Sequence, residues 1–321
     1  MRLVPFMRVF ISGAGGFLGA CATYYFEKAG WDVFAGVRKP RQSWRLAESR
    51  AQQVEMDIVD ARSVEQAVRQ ASPDLIINFA TYGAYPGRQT DLSLIRQTNV
   101  EGVRHLLDAA RSAGVRRLLQ IGTSSEYGLK DVPISEEAEL VPDTDYARAK
   151  LEGSRLALAA NGKDGLEAVV VRPFSPFGPW EDGKRLVPAL VMAALQGRAP
   201  QLASPRPMRD FMFVDDLMEG IRLAALQEGI GGEVFNLSMG HQMSVGDMAG
   251  LVGKLLPNAP TPVWGAQDNV RREPPMWQAD ISKAARVLGW KPKVSAEEGV
   301  RRTIEWFKAH RALYEKQQAA V

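Results

Sequence analysis

The pattern of apolar and polar positions in the first half of the chain favours strands and helices in alternation. Two runs, over residues 73–81 and 115–121, are rich in apolar residues, as strands buried on both faces of a parallel sheet are. Over residues 92–113 the apolar residues recur at helical spacing. We predict strands over residues 8–12, 31–37, 54–58, 73–81 and 115–121, and helices over residues 20–29, 61–70 and 92–113. This alternation predicts a doubly wound α/β fold.

Glycines spaced three apart follow the first predicted strand, at Gly13, Gly16 and Gly19. One glycine permits a tight turn, a second lets a pyrophosphate approach the backbone, and a third lets the next helix pack closely on the strand. The helix N-terminus then directs unpaired N–H groups and its dipole at the phosphates. Because a strand precedes the glycines and a helix follows them, we predict a dinucleotide-binding site.

The second predicted strand ends in the cations Arg38, Lys39 and Arg41, with no Asp or Glu among them. In dinucleotide-binding folds an acidic residue at this point binds the adenosine ribose, whereas an arginine accommodates a 2′-phosphate. A solvated basic loop would have the same composition. The missing carboxylate favours NADP(H) as the cofactor, with NAD(H) as the alternative.

Tyr146 and Lys150 stand one helical turn apart, after a helix-start signal at residues 142–145. A free tyrosine has a pKa of about 10, and a nearby ammonium lowers it by stabilising the phenolate. Such pairs also arise by chance on amphipathic helices. The pair therefore predicts acid/base chemistry only in combination with the other motifs.

Composition and charge argue against several classes of function. The 321 residues include 40 basic and 37 acidic side chains, a net charge of +3, so we expect neither a nucleic-acid nor a membrane partner. With one cysteine and three histidines, we expect no internal disulfide and no metal site. No apolar run reaches the roughly 20 residues of a membrane helix. We expect a cytoplasmic protein.

Taken together, these motifs resemble the extended short-chain dehydrogenase/reductase family, in its nucleotide-sugar branch of epimerases, dehydratases and ketoreductases. The resemblance spans almost the whole chain. The motifs that carry it are Gly13-x-x-Gly16-x-x-Gly19, Asp57-Ile58, residues 78–81, Asn99, Thr123 before Tyr127-Gly128, Tyr146-x-x-x-Lys150, and residues 172–179, 209–217, 279–284 and 288–290.

The resemblance implies a catalytic triad. Thr123 would hydrogen-bond the reacting sugar oxygen, Tyr146 would be the general acid or base, and Lys150 would lower the pKa of Tyr146 and hold the nicotinamide ribose. Together with the basic pair discussed above, the expected cofactor-binding residues are Gly13, Gly16, Phe17, Leu18, Gly19, Arg38, Lys39, Asp57, Ile58, Phe79, Ala80, Thr81, Asn99, Tyr146, Lys150 and Pro173.

The resemblance also implies a nucleoside-diphosphate sugar as substrate and a smaller, interleaved C-terminal α/β substrate lobe. We expect a Rossmann-type domain of residues 1–174 and about 208–238, a substrate lobe of about 175–207 and 239–300, and a C-terminal helix over 301–321. The expected substrate-binding residues are Ser124, Ser125, Glu126, Ser175, Leu186, Val187, Gln201, Arg209 and either Arg271 or Arg272. The arginines would neutralise the diphosphate. For Glu126, capping of the loop is a role that we expect equally. Relatives commonly dimerise through the two long helices, so we expect a homodimer.

Departures from the family pattern limit which of the family's reactions we expect of this chain. Dehydratases of the family place Asp-Glu directly after the catalytic threonine, whereas this chain has Ser124 and Ser125, whose hydroxyls are poor acids and bases near neutral pH. The family's 3,5-epimerising reductases carry a cysteine where this chain has Ser125, so that chemistry is also disfavoured. Residues 121–128 are similar to the 4-ketoreductases. We therefore favour an NADPH-dependent reductase of a nucleotide-linked 4-keto-6-deoxy sugar. The alternatives are an NAD-dependent nucleotide-sugar 4-epimerase and, third, a non-catalytic NADP-sensing protein, which would not require Tyr146 and Lys150.

Overall fold

A seven-stranded parallel sheet forms the centre of the computed structural model, which describes residues 7–85, 87–266 and 276–319. The strands are β1 (Arg8–Ser12), β2 (Asp32–Val37), β3 (Gln52–Glu55), β4 (Leu75–Asn78), β5 (Arg117–Ile121), β6 (Glu167–Pro173), β7 (Ser175–Phe177), β8 (Gln201–Leu202), β9 (Met208–Arg209), β10 (Phe211–Phe213), β11 (Val234–Leu237), β12 (Met243–Ser244) and β13 (Val263–Trp264). The helices are α1 (Phe17–Lys28), α2 (Ala61–Ala71), α3 (Leu92–Arg96), α4 (Gly102–Ser112), α5 (Asp145–Ala160), α6 (Leu186–Leu195), α7 (Val214–Leu226), α8 (Val245–Leu255), α9 (Ser282–Leu288) and α10 (Ala296–Ala319).

The order of strands across the sheet is β3-β2-β1-β4-β5-β6-β11, and all neighbours are parallel. Alternate residues of β1 face opposite sides, where each side has its own core. Val9 and Ile11 pack with α1 and α7, and Phe10 packs with α2 and α4. The predicted doubly wound fold is confirmed. Strand order reverses between β1 and β4, the point at which such sheets bind ligands.

Three element boundaries differ from the sequence prediction in ways that matter for the site. Helix α1 begins at Phe17, directly after the glycines, rather than at residue 20. Strand β3 ends at Glu55, so Asp57 and Ile58 lie in the loop beyond its carboxyl end. The long helix predicted over 92–113 forms, but a π-helical turn over Gln97–Glu101 joins α3 to α4. We did not predict this turn, and single π turns of this kind are rare features inside α-helices.

A second lobe is built from helices α6, α8 and α10 and three two-stranded pairs, β7–β10, β8–β13 and β9–β12. The chain enters this lobe after β6 and returns to the large sheet for α7 and β11. Strand β11 pairs with β6, and α7 packs on α1. The chain then leaves the sheet again at β12, so the two lobes exchange segments more than once. Phe307 of α10 is fully buried in the core of the second lobe.

Candidate functional site

A cleft of about 1810 Å³ opens at the carboxyl ends of β1 and β4 and runs between the two lobes. Ligand pockets typically measure about 300–1,000 Å³, so this one has room for a dinucleotide and a second ligand. The glycine loop and the end of β2 line one part of it. Residues from β7, α6 and β9 line another part. Tyr146 and Lys150 lie along its wall.

The glycine loop is shaped for close approach of other atoms. Gly13 has a φ of +68°, and a Cβ there would lie 2.6 Å from the Ala80 nitrogen. A Cβ on Gly19 would lie 2.2 Å from the Gly13 carbonyl oxygen. The N-cap of α1 is Gly16, which has no side chain to satisfy the first-turn N–H groups. Phe17 and Leu18 begin the helix and line the cleft, so their N–H groups fit the phosphates of a dinucleotide.

The adenosine end of the predicted cofactor site contains the residues expected from the sequence. Arg38 and Lys39 are exposed and line the cleft just beyond β2. Asp57 and Ile58 line it from the loop after β3. Positive charge is therefore available where an adenosine 2′-phosphate would lie in this fold.

Asn99, predicted to bind cofactor, has a different role. It is 1% exposed and does not line the cleft. Its Oδ1 accepts a hydrogen bond from Thr81 Oγ1 at 2.7 Å, and its Nδ2 donates to the carbonyls of Tyr82 and Ile95 at 2.7 and 2.8 Å. The prediction was wrong because the amide is saturated inside the π turn. Asn99 orients Thr81, which faces the cleft with Phe79, Ala80 and Pro173.

The three predicted catalytic residues come together in the cleft. Thr123 caps the 3₁₀ turn that follows β5, and Tyr146 lies in the first turn of α5. The side chains of Thr81 and Thr123 lie close enough to the Tyr146 hydroxyl to affect its pKa. Lys150, one turn later, is 3% exposed and donates from Nζ to the Ile121 carbonyl at 2.5 Å. Two threonine side chains therefore lie close to the phenol, and Lys150 follows one turn later on the same helix.

Burial has the largest effect on the pKa values of both Tyr146 and Lys150. It raises the pKa of Tyr146, although the neighbouring Thr81 and Thr123 side chains oppose the shift. It lowers the pKa of Lys150 to about 8, against the opposing charge of Glu126. The predicted lowering of the Tyr146 pKa by Lys150 is wrong for this structure, because desolvation of the phenol outweighs the stabilisation of its anion. Near pH 7 Tyr146 is a protonated phenol, able to donate a proton.

Glu126, predicted to bind substrate, is fully buried and does not line the cleft. Its Oε2 accepts from Arg172 Nε at 2.8 Å, and its Oε1 accepts from Ser154 Oγ and the Thr123 N–H, both at 3.0 Å. With Thr123 it forms a reciprocal capping box. The capping alternative is therefore the one observed. The substrate role was wrong because the buried guanidinium of Arg172 pairs with the carboxylate inside the protein.

Most of the other predicted substrate residues line the cleft, namely Ser124, Ser125, Ser175, Leu186, Val187 and Arg209. Arg209 donates from Nη1 to the Met208 carbonyl at 2.6 Å and lies 5.9 Å from the Trp277 ring centroid. Gln201 is exposed on β8, which pairs with β13, and it does not line the cleft, contrary to prediction. Arg271 and Arg272 lie outside the described residues.

Among the cleft residues that were not named individually from the sequence are Glu181, Arg185 and Arg45. Arg185 caps α6, lies 4.4 Å from the Tyr85 ring centroid and donates to the Ala84 carbonyl. Its charge reaches both Tyr146 and Glu181. No local pattern marks these residues, because only the folding of distant loops against each other brings them to the cleft.

Two further features concern metals and membranes. Across residues 7–85, 87–266 and 276–319, no group of three or more His, Cys, Asp or Glu side chains could hold a metal ion. Within the same ranges, every helix is too short or too polar to cross a membrane.

The known proteins that this chain resembles belong to one enzyme family. The model of the "NAD dependent epimerase/dehydratase family" matches residues 9–238. A dTDP-glucose 4,6-dehydratase of Streptomyces antibioticus is 31% identical over 264 residues, which cover 81% of this chain and 77% of that protein. A UDP-glucose 4-epimerase of Lactobacillus helveticus is 26% identical over 340 residues, which cover 96% of this chain and 99% of that protein. The structure of MoeE5 with UDP-glucose and NAD matches with a TM-score of 0.84 and 26% identity, covering 95% of this chain and 99% of that one.

Proposed function

Since the chain belongs to the NAD-dependent epimerase/dehydratase family, we propose that it is an NADPH-dependent reductase of a nucleotide-linked 4-keto-6-deoxy sugar. The observation that carries the proposal is the polar lining beside Tyr146. It consists of the hydroxyls of Thr81, Thr123, Ser124 and Ser125, with a protonated phenol among them. That set can protonate an alkoxide at C4. The serine and threonine hydroxyls of this set are poor acids and bases near neutral pH, so the set itself does not provide a second acid/base group.

The same lining argues against dehydration, although a dehydratase is among the relatives. Removing water across a sugar C5–C6 bond requires a group that takes a proton and one that gives it, both with a pKa near neutrality. Ser124 and Ser125 cannot supply this. Glu126, the carboxylate nearest in sequence, is fully buried and paired with Arg172. It is therefore unavailable to a substrate.

In the proposed reduction, the cleft residues bind and orient the substrate and cofactor and supply one proton. When bound, the dinucleotide supplies the hydride that reduces the C4 carbonyl. Thr123 orients the carbonyl oxygen through a hydrogen bond, and Tyr146 donates its proton to that oxygen as charge develops there. Lys150 stabilises the resulting phenolate and holds the nicotinamide ribose. Arg209 pairs with the substrate diphosphate, a task for which a guanidinium is well suited.

The choice of NADPH rests on Arg38 and Lys39, which are exposed beside the predicted adenosine site. We expect the double substitution Arg38→Ser and Lys39→Ser to raise KM for NADPH by about 10- to 100-fold, because one or two charge-assisted hydrogen bonds to the 2′-phosphate are lost. KM for NADH should change less than about threefold. Arg62→Ser, an exposed arginine outside the cleft, is the matched control. Equal effects on the two cofactors would contradict the assignment.

A second candidate is an NAD-dependent nucleotide-sugar 4-epimerase, favoured by the near full-length match to a UDP-glucose 4-epimerase. The two activities differ in their need for added cofactor. We expect purified protein to oxidise NADPH when given GDP-, CDP- or dTDP-4-keto-6-deoxyhexoses, measured by NADPH absorbance and product mass. Sustained interconversion of a UDP-sugar without added cofactor would instead establish the epimerase.

Lys150 predicts a specific pH dependence for the reduction. Because burial lowers its pKa to about 8, its ammonium is lost as the pH rises through that value. At saturating NADPH we expect kcat to fall above about pH 8, while Tyr146, with its raised pKa, stays protonated. Lys150→Arg keeps the charge and should show lower activity throughout without the fall. A wild-type profile that stays flat to about pH 9.5 would show that the ammonium is not required.

We also propose that the protein forms a homodimer through the faces of α3–α4 and α5, which pack beside each other. Four helices from two copies would then form a bundle. Sedimentation velocity at micromolar concentration tests this, and a monomer under those conditions would refute it.

A further inference from the structure

Glu181 has an unused polar atom at the edge of the cleft. The residue is 7% exposed and lines the cleft. Its Oε2 is buried and has no hydrogen-bond partner among the described residues. Leaving a buried polar atom unpaired is energetically costly. Such an atom at a ligand cleft therefore indicates a partner that arrives with the ligand.

The residues just before Glu181 are held against the glycine loop. The Pro179 carbonyl accepts from Cys21 Sγ of α1 at 3.3 Å, and the Trp180 carbonyl accepts from Arg45 Nε at 2.7 Å. Nη1 of the same arginine donates to the Gly15 carbonyl at 3.4 Å. Trp180 also adopts a φ of 66°, in the left-handed region. Glu181 thus lies near the α1 N-terminus, where the phosphates of a dinucleotide are expected.

The charges around Glu181 allow it to remain neutral. Burial raises its pKa to about 8, although the charge of Arg185 opposes the shift. Burial also raises the pKa of Cys21 and of Tyr314, and neither should ionise near that pH. Asp182 is desolvated too, but hydrogen bonds from Lys184 and Arg88 lower its pKa. The groups that face Glu181 are Cys21 on α1, Tyr314 on α10, Asp182 in its own loop, Arg185 at the start of α6 and, one neighbour further, Arg45 after β2.

We propose that Glu181 binds the cofactor diphosphate as a neutral carboxylic acid, donating a hydrogen bond from Oε2 to a phosphate oxygen. The neutral form satisfies the unpaired atom, whereas a carboxylate at this position would repel the phosphate. Binding of the diphosphate is therefore coupled to retention of one proton. The inference rests on the dinucleotide binding of the proposed function, but not on which reaction follows.

The test measures the affinity of ADP, displacing NADPH and read by NADPH fluorescence, between pH 7 and 9. ADP carries a diphosphate but no nicotinamide ribose, so Lys150 does not contribute to the pH dependence. For one required proton with a pKa of about 8, affinity should be about tenfold weaker at pH 9 than at pH 7. At pH 8, calorimetry in two buffers should show uptake of about 0.5 proton per ADP.

Glu181→Gln mimics the neutral acid and should bind ADP with less than about a twofold change across this range and without proton uptake. Asp182→Asn, at the neighbouring position, is the matched control and should keep the wild-type slope. Thermal melting shows whether each variant is folded. An unchanged slope in Glu181→Gln, or no slope in the wild type, would overturn the assignment. Because ADP binding is measured without turnover, failure of the reductase proposal appears separately, as absent NADPH oxidation.

Discussion

Replacing Tyr146 with phenylalanine should lower kcat for sugar reduction by about 10²- to 10⁴-fold, the usual contribution of a positioned general acid. The phenol is protonated near neutral pH and lies beside Thr81 and Thr123, and the variant removes only its hydroxyl. Binding of NADPH should stay within about threefold of the wild type, because the ring and Lys150 remain. Steady-state kinetics and fluorescence titration measure the two effects separately.

Tyr82→Phe is the matched control, since Tyr82 is partly buried and lines the same cleft. We expect less than a fivefold change in kcat for it. Undiminished turnover by Tyr146→Phe would remove the phenol from the mechanism, whatever the reaction. A loss of NADPH binding as large as the loss of kcat would instead assign Tyr146 to cofactor binding alone.

Replacing Arg172 with methionine should lower the free energy of unfolding by about 3–5 kcal/mol, because it leaves the Glu126 carboxylate buried without its counter-charge. The two side chains are 3% and 0% exposed and 2.8 Å apart. The guanidinium also donates to the Tyr127 hydroxyl at 2.9 Å. Urea unfolding monitored by circular dichroism measures the change.

The double variant Glu126→Gln with Arg172→Met should recover part of the lost stability, since no unpaired charge then remains. Arg148→Met, which breaks the exposed pair with Asp145, is the control and should cost less than about 1 kcal/mol. A double variant less stable than Arg172→Met would show that the destabilisation arises from lost packing rather than from the isolated carboxylate.

The residues that lie where the sequence predicts them are those whose position follows from local backbone geometry. Gly13 and Gly19 leave no space for a Cβ, and the four-residue spacing brings Tyr146 and Lys150 to one wall of the cleft. The residues read incorrectly, Glu126 and Asn99, are polar groups beside the site whose partners come from elsewhere in the chain. Sequence spacing cannot distinguish a polar side chain that faces a ligand from one that supports its neighbour.

The pKa of Tyr146 shows the same limit in energetic terms. The sequence indicates an ammonium one turn away, which lowers a phenol pKa. It does not show how deeply α5 is buried, and in the structure that burial has the larger effect. Glu181 could not be identified either, because its position depends on contacts of residues 179–180 with Cys21 and Arg45.

The placement of β11 beside β6 has a consequence for biosynthesis. When the ribosome has completed β6, that strand presents an unpaired edge until residues 234–237 emerge. Open edges of this kind invite pairing with other chains, so the nascent protein passes through a stage that is prone to aggregation. It follows that neither lobe can be produced alone by cutting the gene at one point, since any single cut between β6 and β11 leaves the sheet incomplete.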